Sequence, residues 1–333
     1  MIFKRMLDSK AVRRFRAAFG SWRARINPYK RIAALEHRIK ELESNIYYET
    51  ESPEVWRPKV MGLEETMRYI IGNRCSVTRF GDGEFELVAG GRMSFELANA
   101  EMQKRLTEIL ERPVPNCLLC IPNVFGSLAH YTPEDRVFWR RAALWMRPLL
   151  IGHLSSDYKG ESHKAVLGDP QISRAYLGVA DKSVAPRVFA LWKELFADRD
   201  VLVVEGRFTR LGVGNDLLSG AKSVKRIWCP PLGAFAKYGE ILAAVEANAN
   251  KDTLILIALG ATATILAYDL AKKGYWAVDT GHLDVEYMWM KMGVKKRVPI
   301  KGRYVNECSV AGKEMKTVVG EETANNVVAM IGV

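Results

Sequence analysis

From residue 58 onward, short apolar runs alternate with longer segments of helical periodicity. The clearest run, residues 253–259, is apolar at consecutive positions from Leu254 to Leu259 rather than at every second position. Such continuous runs are typical of strands that are buried on both faces of a parallel sheet. Strands that alternate with helices build a mainly parallel sheet with helices on both faces. The sequence therefore predicts an α/β fold for residues 58–333, preceded by N-terminal helices.

The predicted strands share one property, which is that glycine, proline or polar residues follow each of them. They cover residues 75–78, 117–121, 201–204, 225–229, 253–259 and 275–278. Helices are predicted over residues 62–71, 96–112, 132–150, 185–198, 234–248, 260–273 and 285–292. Ligands of open parallel sheets bind beyond the carboxyl ends of the strands. We therefore expect the turns at residues 79–84, 205–216, 260–264 and 279–282 to converge on one crevice.

The N-terminal arm carries most of the positive charge of the chain. Residues 1–31 contain ten Lys or Arg against one acid, within a chain of net charge +11. The charge is largely a property of this arm, so it says little about whether the main domain binds nucleic acid, and we expect no nucleic-acid partner. Apolar side chains recur three and four residues apart over residues 1–27, as in a basic helix that lies on an anionic membrane surface. Packing of the arm on the domain or on a partner is the alternative.

A second N-terminal helix is predicted over residues 29–48, where apolar side chains follow a heptad pattern. They are Ile32, Leu35, Ile39, Leu42 and Ile46. About two heptads are present, fewer than a confident coiled coil requires. A short helix that forms a homodimer and a helix that packs on the domain both remain open. The acidic stretch at residues 49–54 indicates a linker, so residues 1–57 are expected to be separate from the domain at 58–333.

The cysteine content and the absence of long apolar runs indicate the compartment. Five cysteines in a chain of this length do not form a disulfide scaffold, and their odd number fits a reducing cytoplasm. Cys117 and Cys120 lie within an apolar run, which favours a buried strand over a zinc site. There is no apolar run of about 18 residues. We therefore expect a cytoplasmic protein, peripheral at the inner face of the membrane if the arm binds lipid.

The stretch at residues 79–84, Arg-Phe-Gly-Asp-Gly-Glu, follows the first predicted strand of the domain. Asp82 and Glu84 each adjoin glycine, so the backbone there can turn tightly or let a ligand approach closely. Two carboxylates at this spacing suit a hard divalent cation. An ordinary surface turn has the same composition. The position at a strand end, among other ligand-like turns, favours the metal site.

Residues 205–216 form a glycine-rich stretch after another predicted strand. The backbone at Gly212 and Gly214 can approach phosphate oxygens, and Thr209 and Arg210 can add a hydroxyl and a charge. The spacing is not that of a dinucleotide-binding fingerprint, and the lysine of a Walker loop is missing. These departures disfavour a nicotinamide dehydrogenase and a P-loop NTPase. A plain strand-to-helix connection is the alternative to a phosphate-binding loop.

Two further turns carry groups suited to a site. Gly260 and Thr262 begin a predicted helix whose free N–H groups and dipole favour an anion, although Thr262 can also act simply as a cap. Four titratable residues follow the last predicted strand, namely Asp279, His282, Asp284 and Glu286. Each could act as a metal ligand, a general base or a contact to a sugar hydroxyl. The alternative is that Asp284 caps the last helix and Glu286 is solvated.

Taken together, these residues resemble a bacterial family first catalogued as a domain of unknown function and later assigned to glycosyltransferases of the GT-D fold. The matching stretches are residues 79–84, 172–174, 204–216, 258–264 and 281–287. They occur in the family's order and span roughly residues 70–305. Ala261 stands where the family pattern has a proline, a departure that removes no functional group. The first 57 residues lie outside the resemblance.

The resemblance implies a Rossmann-like domain that transfers a sugar from a nucleotide diphosphate sugar to a glycan or glycoprotein acceptor in bacterial surface assembly. The Asp-x-Glu motif, Asp82 and Glu84, would hold Mn²⁺ or Mg²⁺ with the diphosphate. The expected nucleotide-binding residues are Arg79, Glu205, Thr209, Arg210, Gly212, Gly214, Asn215, Asp216, Gly260 and Thr262. The expected residues near the transferred sugar are Asp279, His282, Asp284 and Glu286. A catalytically inactive nucleotide-sugar-binding scaffold of a membrane-associated assembly is the second hypothesis.

Overall fold

A computed structural model describes residues 31–32, 35–36, 38–39, 42, 57–91, 99–159, 165–303, 308 and 326–332. The chain divides into two compact units, Met1–Val55 and Trp56–Val333. In the first unit the described residues are helical, and the apolar side chains of the heptad pattern among them are exposed. Dimerisation through residues 29–48 stays a prediction. The predicted membrane-binding helix at residues 1–27 lies outside the described residues.

In the described residues of the second unit, eight parallel strands form one sheet in the order β3-β2-β1-β7-β6-β4-β5-β8. Their bounds are β1 Ser76–Arg79, β2 Cys117–Cys120, β3 Leu167–Gly168, β4 Asp200–Gly206, β5 Ser223–Cys229, β6 Leu254–Ala258, β7 Trp276–Asp279 and β8 Val327–Met330. The predicted α/β fold and all of its predicted strands are confirmed. The sequence missed the two edge strands, β3 and β8; β3 has only two residues, too few to show a period.

The α-helices of this unit surround the sheet. Their bounds are α1 Leu63–Asn73, α2 Asp82–Val88, α3 Ala100–Glu111, α4 Pro133–His153, α5 Val184–Phe196, α6 Tyr238–Asn248, α7 Ala261–Lys272 and α8 Leu283–Met292. Short 3₁₀ helices cover Ser156–Tyr158, Pro170–Ser173 and Ala234–Lys237. The helices predicted within residues 58–333 are confirmed, and α4 begins as expected at a Thr132 cap, whose hydroxyl accepts a hydrogen bond from Asp135 N at 3.4 Å. No helix in the described part of the chain is long and apolar enough to cross a membrane.

The sheet is buried on both faces, as the continuous apolar runs predict. On one face, alternate strand residues such as Val203 and Val278 pack with α1, α5 and α8. On the other face, the intervening residues, such as Val204 and Ile257, pack with α6 and α7. The two faces are therefore filled with core, and the carboxyl ends of the strands are left for a binding site.

The order of the strands along the sheet reverses at its middle, between β1 and β7. After β1 the chain moves outward to β2 and β3, whereas β7 is the last strand of a group on the opposite side, formed with β4, β5 and β6. The strands β1 and β7 pair directly, with Val77 beside Val278. Clefts that bind ligands form at such points in parallel sheets. The turns that follow β1 and β7 are therefore the first place to look for a site.

Candidate functional site

The helix α2 follows β1 after only two residues, so the acidic motif begins a helix. The sequence did not predict this helix. Gly81 has an extended backbone and precedes Asp82, the first helical residue. Phe80 and Phe85 are buried with their ring centroids 5.3 Å apart, which fixes the start of the helix against the core. Acidic groups in the first turn are stabilised by the free N–H groups and the helix dipole.

The two carboxylates of the motif have different surroundings. Asp82 is exposed, whereas Glu84 turns back and its Oε2 accepts a hydrogen bond from Gly81 N at 2.7 Å. Burial of the Glu84 carboxyl group raises its pKa to about 7; the Gly81 N–H opposes the rise, Asp279 adds to it, and Arg79 lowers it. Glu84 therefore stabilises the start of α2, and Asp82 presents its charge to a ligand.

Arg79, the last residue of β1, is held by groups from two other parts of the chain. Its Nη1 lies 3.3 Å from Asp279 Oδ1, and its Nε donates to Pro170 O at 3.1 Å. Asp279 also accepts from Gly281 N at 2.9 Å and from Thr264 Oγ1 at 3.2 Å. The Arg79 and Asp279 side chains are only 10% and 4% exposed. Burial raises the pKa of Asp279, and Arg79 opposes the rise. Asp279 thus fixes the position of the Arg79 guanidinium.

The turn after β7 passes directly beneath this guanidinium. Gly281 has a φ of +48°, which favours glycine, and a Cβ built there would lie 2.0 Å from Arg79 Nη1. No side chain fits in that position while Arg79 stays in place. The glycine therefore permits the close contact between the β7 turn and the end of β1.

A cleft of about 420 Å³ opens beside Arg79. Its lining combines arginines, carboxylates and aromatic rings, a mixture suited to a charged ligand with sugar hydroxyls. The residues are Arg79, Gly81, Asp82, Tyr131, Glu134, Asp135, Phe138, Trp139, Pro170, Gln171, Arg174, Leu177, Gly178, Glu286 and Arg297. We call this space the large cleft.

A second cleft of about 110 Å³ lies at the ends of β4, β5 and β6. It is rich in glycine and proline, so backbone forms much of its wall. The lining residues are Gly206, Thr209, Leu211, Pro230, Pro231, Gly233, Ala234, Ala258, Leu259, Gly260, Gly281, His282, Asp284 and Val285. Gly260 precedes α7 with a φ of +56°, so the N-terminus of that helix adjoins this small cleft. Free N–H groups at a helix N-terminus favour an anion.

His282 connects the two clefts. It lines the small cleft, and its ring nitrogens lie 2.9 and 3.1 Å from Nη2 of Arg174, which lines the large cleft. The turn after β7 therefore separates two adjacent clefts, where the sequence led us to expect one crevice. The predicted turns do meet at the same edge of the sheet.

Glu205 lies beneath the glycine-rich loop. Its Oε1 forms a buried ion pair with Arg226 Nη1 at 2.5 Å, and its Oε2 accepts from Leu211 N at 2.7 Å. Arg226 Nη2 in turn donates to Leu211 O at 2.8 Å. Burial raises the pKa of Glu205, and Arg226 opposes the rise. These contacts hold the loop in place, and Glu205 lines neither of the two clefts.

Asp284 holds the other side of this loop. Its Oδ1 accepts from Gly212 N and from Asn215 Nδ2, both at 2.8 Å, and its Oδ2 pairs with Arg303 Nε. Arg303 also donates to Val213 O at 2.5 Å. Asp284 is buried and lines the small cleft, so it positions the loop at the border of that cleft. The sequence did not single out Arg303, because its pairing with Asp284 leaves no local pattern.

Glu286 and Asp216 are also engaged with protein groups. Glu286 Oε2 accepts hydrogen bonds from Tyr176 N at 3.1 Å and from Leu177 N at 3.0 Å. Burial raises the pKa of Glu286, and the Leu177 N–H and Arg174 oppose the rise. Glu286 lines the large cleft. Asp216 contacts Lys193 Nζ at 2.6 Å, which holds its pKa well below the usual range.

The remaining predicted nucleotide-binding residues occupy varied positions. Thr209 and Gly260 line the small cleft, and Arg79 lines the large one. The other predicted nucleotide-binding residues named here line neither cleft; they are Arg210, Gly212, Gly214, Asn215, Asp216 and Thr262. Arg210 takes part through its carbonyl oxygen, which accepts from Arg303 Nη2 at 3.4 Å. From the glycine-rich stretch, only Gly206, Thr209 and Leu211 line the small cleft.

The donor set that the sequence predicts for a metal consists of the Asp82 and Glu84 carboxylates. Among the described residues, no group of three or more His, Cys, Asp or Glu side chains could hold a metal ion. Mg²⁺ and related hard cations commonly take one or two protein carboxylates, with substrate phosphates and water completing the shell. Asp82 lines the large cleft and can supply one carboxylate of such a shell, whereas Glu84 lines neither cleft and its Oε2 accepts a hydrogen bond from Gly81 N.

Comparison with known proteins identifies the family. The family model described as glycosyltransferase GT-D fold matches residues 77–308, from β1 to beyond α8. The chain belongs to this family. The GT-D match includes the strands, turns and helices that form both clefts. The resemblance seen in the sequence is therefore confirmed, as is the enzyme class at the level of the family.

Two curated relatives of the GT-D chain come from streptococci. A probable glycosyl transferase, Gly, of Streptococcus gordonii is 36% identical over 256 residues, which are 77% of this chain and 36% of that protein. The glycosyltransferase GlyD of Streptococcus pneumoniae serotype 4 is 35% identical over 250 residues, 75% of this chain and 30% of that protein. The chain thus matches about a third of the length of these relatives.

Solved structures have the same GT-D architecture. A selenomethionine-substituted structure of domain of unknown function 1792 has a TM-score of 0.77 at 36% identity, covering 88% of this chain and 100% of that chain. A structure described as showing that this domain has a distinct glycosyltransferase fold has a TM-score of 0.75 at 35% identity, with the same coverage. A structure described as a new glycosyltransferase from Streptococcus sanguinis has a TM-score of 0.73 at 33% identity, with 83% and 100% coverage.

Proposed function

We propose that this chain transfers a sugar from a nucleotide diphosphate sugar to a glycan or glycoprotein acceptor. The observation that carries the proposal is the meeting of Arg79, Asp82 and Arg174 in the large cleft, at the carboxyl ends of β1 and β7. Carboxylates for a cation and arginines for phosphate oxygens are the groups that a diphosphate leaving group requires. Membership of the GT-D family supports the same reaction class.

The two clefts suggest how the donor binds. The small cleft, with its backbone walls and the N-terminus of α7, would receive the nucleoside. The diphosphate would cross the turn at Gly281, where Arg79 and Arg174 lie close by. The sugar would then enter the large cleft, whose carboxylates can accept hydrogen bonds from its hydroxyl groups.

Charge compensation on the leaving diphosphate would be the main catalytic effect. Arg79 is suited to this task because Asp279 and the carbonyl of Pro170 hold its guanidinium in place before a ligand binds. Asp82 and Glu84 would hold Mn²⁺ or Mg²⁺, which supplies Lewis-acid neutralisation of the diphosphate when bound. The Arg79 guanidinium is already held in place, so it needs little reorganisation during the reaction. The rigid surroundings of Arg79 therefore favour catalysis.

We further propose that the acceptor belongs to a bacterial surface glycan or glycoconjugate and that the protein works in the cytoplasm. Its relatives named as glycosyltransferases come from streptococci. The basic N-terminal arm would bring the domain to the inner face of the membrane. Deletion of residues 1–27 is expected to reduce co-sedimentation with anionic vesicles, and unchanged co-sedimentation would contradict membrane binding.

The transfer reaction can be tested with variants that keep the fold. Release of nucleoside diphosphate from UDP-, GDP- and dTDP-sugars is measured with and without Mn²⁺ for the wild type, Asp82→Asn and Glu84→Gln. We expect Mn²⁺-dependent turnover of at least one donor and a loss of about 100-fold in each variant. Glu101→Gln is the matched control, because Glu101 is an exposed acid in the first turn of α3.

Two results would decide against the proposal. Undiminished, metal-independent turnover by both motif variants would show that Asp82 and Glu84 take no part in the reaction. Binding of nucleotide sugars by the wild type without turnover on any acceptor, detected by thermal shift, would instead support the inactive scaffold.

A further inference from the structure

A groove continues from the large cleft along α4. It has a volume of about 710 Å³ and lies between α2 and α4. Its lining residues are Asp82, Glu86, Ala89, Gly91, Glu134, Val137, Phe138, Arg141, Ala142 and Trp145. Asp82, Glu134 and Phe138 line both the groove and the large cleft. A chain molecule can therefore extend from one space into the other.

Two exposed aromatic rings lie on the α4 wall of this groove. Phe138 is 46% exposed and Trp145 is 39% exposed, although side chains of this size are usually buried. They are seven residues apart on one helix, so they share a face and are separated by about 10 Å along its axis. This separation is comparable to the length of two linked pyranose rings. Flat aromatic faces stack on the C–H faces of such rings.

The polar groups of the groove are mainly carboxylates. Asp82, Glu86 and Glu134 line it, with Arg141 on the α4 side. Carboxylates accept hydrogen bonds from neutral hydroxyl groups, and carbohydrates supply many of these. The same negative charges repel an anionic membrane surface. The combination of exposed aromatic rings with acidic acceptors therefore favours a sugar chain over a lipid surface.

We propose that this groove binds the acceptor glycan, with the acceptor end in the large cleft and the preceding sugars stacked on Phe138 and Trp145. This inference rests on the proposed transfer to a glycan. It adds that the acceptor is an oligosaccharide chain, because a monosaccharide would not reach Trp145. Phe138 would contact the sugar nearest the reacting end, since it borders both spaces.

A binding measurement tests the proposal without any turnover. The full chain is labelled with 5-fluorotryptophan, and Trp145→Phe assigns the Trp145 resonance in the ¹⁹F NMR spectrum. Disaccharides and hexasaccharides of the cello-, malto- and chito-series are the probes. We expect hexasaccharides of at least one series to shift the Trp145 resonance and to bind at least about fivefold more tightly than the disaccharide. Phe138→Ala should weaken that binding by a similar factor.

The inference is overturned if none of these sugars shifts the Trp145 resonance. It is also overturned if anionic phosphatidylglycerol vesicles shift that resonance while the sugars do not, since the face would then contact membrane. A shift without any dependence on chain length would likewise contradict a site that extends over several sugars.

A kinetic measurement separates this inference from the proposed function. With the oligosaccharide that binds as acceptor, Trp145→Ala should raise the acceptor KM about fivefold to tenfold and leave the donor KM unchanged. Ile151→Ala is the control, because Ile151 is a 51% exposed apolar residue of α4 outside the groove. If the wild type releases no nucleoside diphosphate, the proposed function fails. If it does, and Trp145→Ala keeps its acceptor KM, only the acceptor groove is wrong.

Discussion

The guanidinium of Arg79 lies against the backbone of Gly281, so closely that a Cβ at position 281 would be 2.0 Å from Nη1. This contact joins the end of β1 to the turn after β7 at the border of the two clefts. Because Asp279 binds both Arg79 Nη1 and Gly281 N, the three residues form one rigid unit. We propose that this unit presents the fixed Arg79 guanidinium to the diphosphate of the donor.

Gly281→Ala is expected to displace Arg79 and to reduce the release of nucleoside diphosphate by tenfold or more. Gly274→Ala is the control, because Gly274 also has a positive φ, +77°, but its Cβ would meet nothing within 4 Å. The positive φ should cost each variant about 1–2 kcal/mol of unfolding free energy in urea. Gly281→Ala should lose more than Gly274→Ala, because it also displaces Arg79 from its buried pair with Asp279. Equal activity of the two variants would show that the position of Arg79 does not matter.

Two substitutions of Glu84 should separate its structural effect from its charge. Glutamine keeps an oxygen that can accept the hydrogen bond from Gly81 N, whereas alanine removes it. We expect Glu84→Ala to lower the unfolding free energy by about 0.5–2 kcal/mol and Glu84→Gln to lower it less. Nucleoside diphosphate release should fall in both. If Glu84→Gln retained full turnover, the carboxylate charge would have no part in the reaction.

The Arg226 side chain is expected to be essential for stability because it neutralises Glu205 inside the protein. Arg226→Met leaves the buried carboxylate without its partner, and such losses cost about 3–5 kcal/mol of unfolding free energy. Lys222→Met is the comparison, since Lys222 joins the same two strands through an exposed pair with Asp200 and should have a much smaller effect. Similar urea midpoints for the two variants would contradict this assignment.

Asp169 should make the stability of the protein depend on pH. Burial raises its pKa to about 7, with Gln171 N–H and Arg79 opposing the rise. Between pH 4 and 7 the unfolded chain has released a proton that the folded chain still holds, so the unfolding free energy falls as pH rises. Asp169→Asn keeps an oxygen for Gln171 N but cannot ionise. The variant should gain stability relative to the wild type, by an amount of order 2–4 kcal/mol, between pH 4 and 8. A difference that does not change with pH would contradict the raised pKa.

The alternation of strands and helices could be predicted because short stretches of sequence are enough to indicate each element. Continuous apolar runs such as residues 253–259 identified the strands, and Thr132 before Pro133 identified the start of α4. The helix α2 was missed because glycine stands at its cap and again at its second position, where sequence rules favour a turn. The edge strand β3 was missed because its two residues are too few for a recognisable period.

The site was predicted only in part because its side chains pair over long distances in sequence. Arg303 binds Asp284, and Arg174 contacts His282, yet nothing in the local pattern links either pair. Carboxylates such as Glu205 were selected by position and type, but their surroundings decide their role. Burial and a partner in β5 made Glu205 a support of the loop.

Manganese binding is the sharpest test of the proposed metal–diphosphate complex on Asp82 and Glu84. Free Mn²⁺ is measured by electron paramagnetic resonance during titration of the protein with and without UDP, GDP or dTDP. We expect tighter Mn²⁺ binding in the presence of one nucleoside diphosphate, and a loss of about tenfold or more in affinity in Asp82→Asn. Mn²⁺ affinity that is the same in the wild type, Asp82→Asn and Glu84→Gln would contradict it.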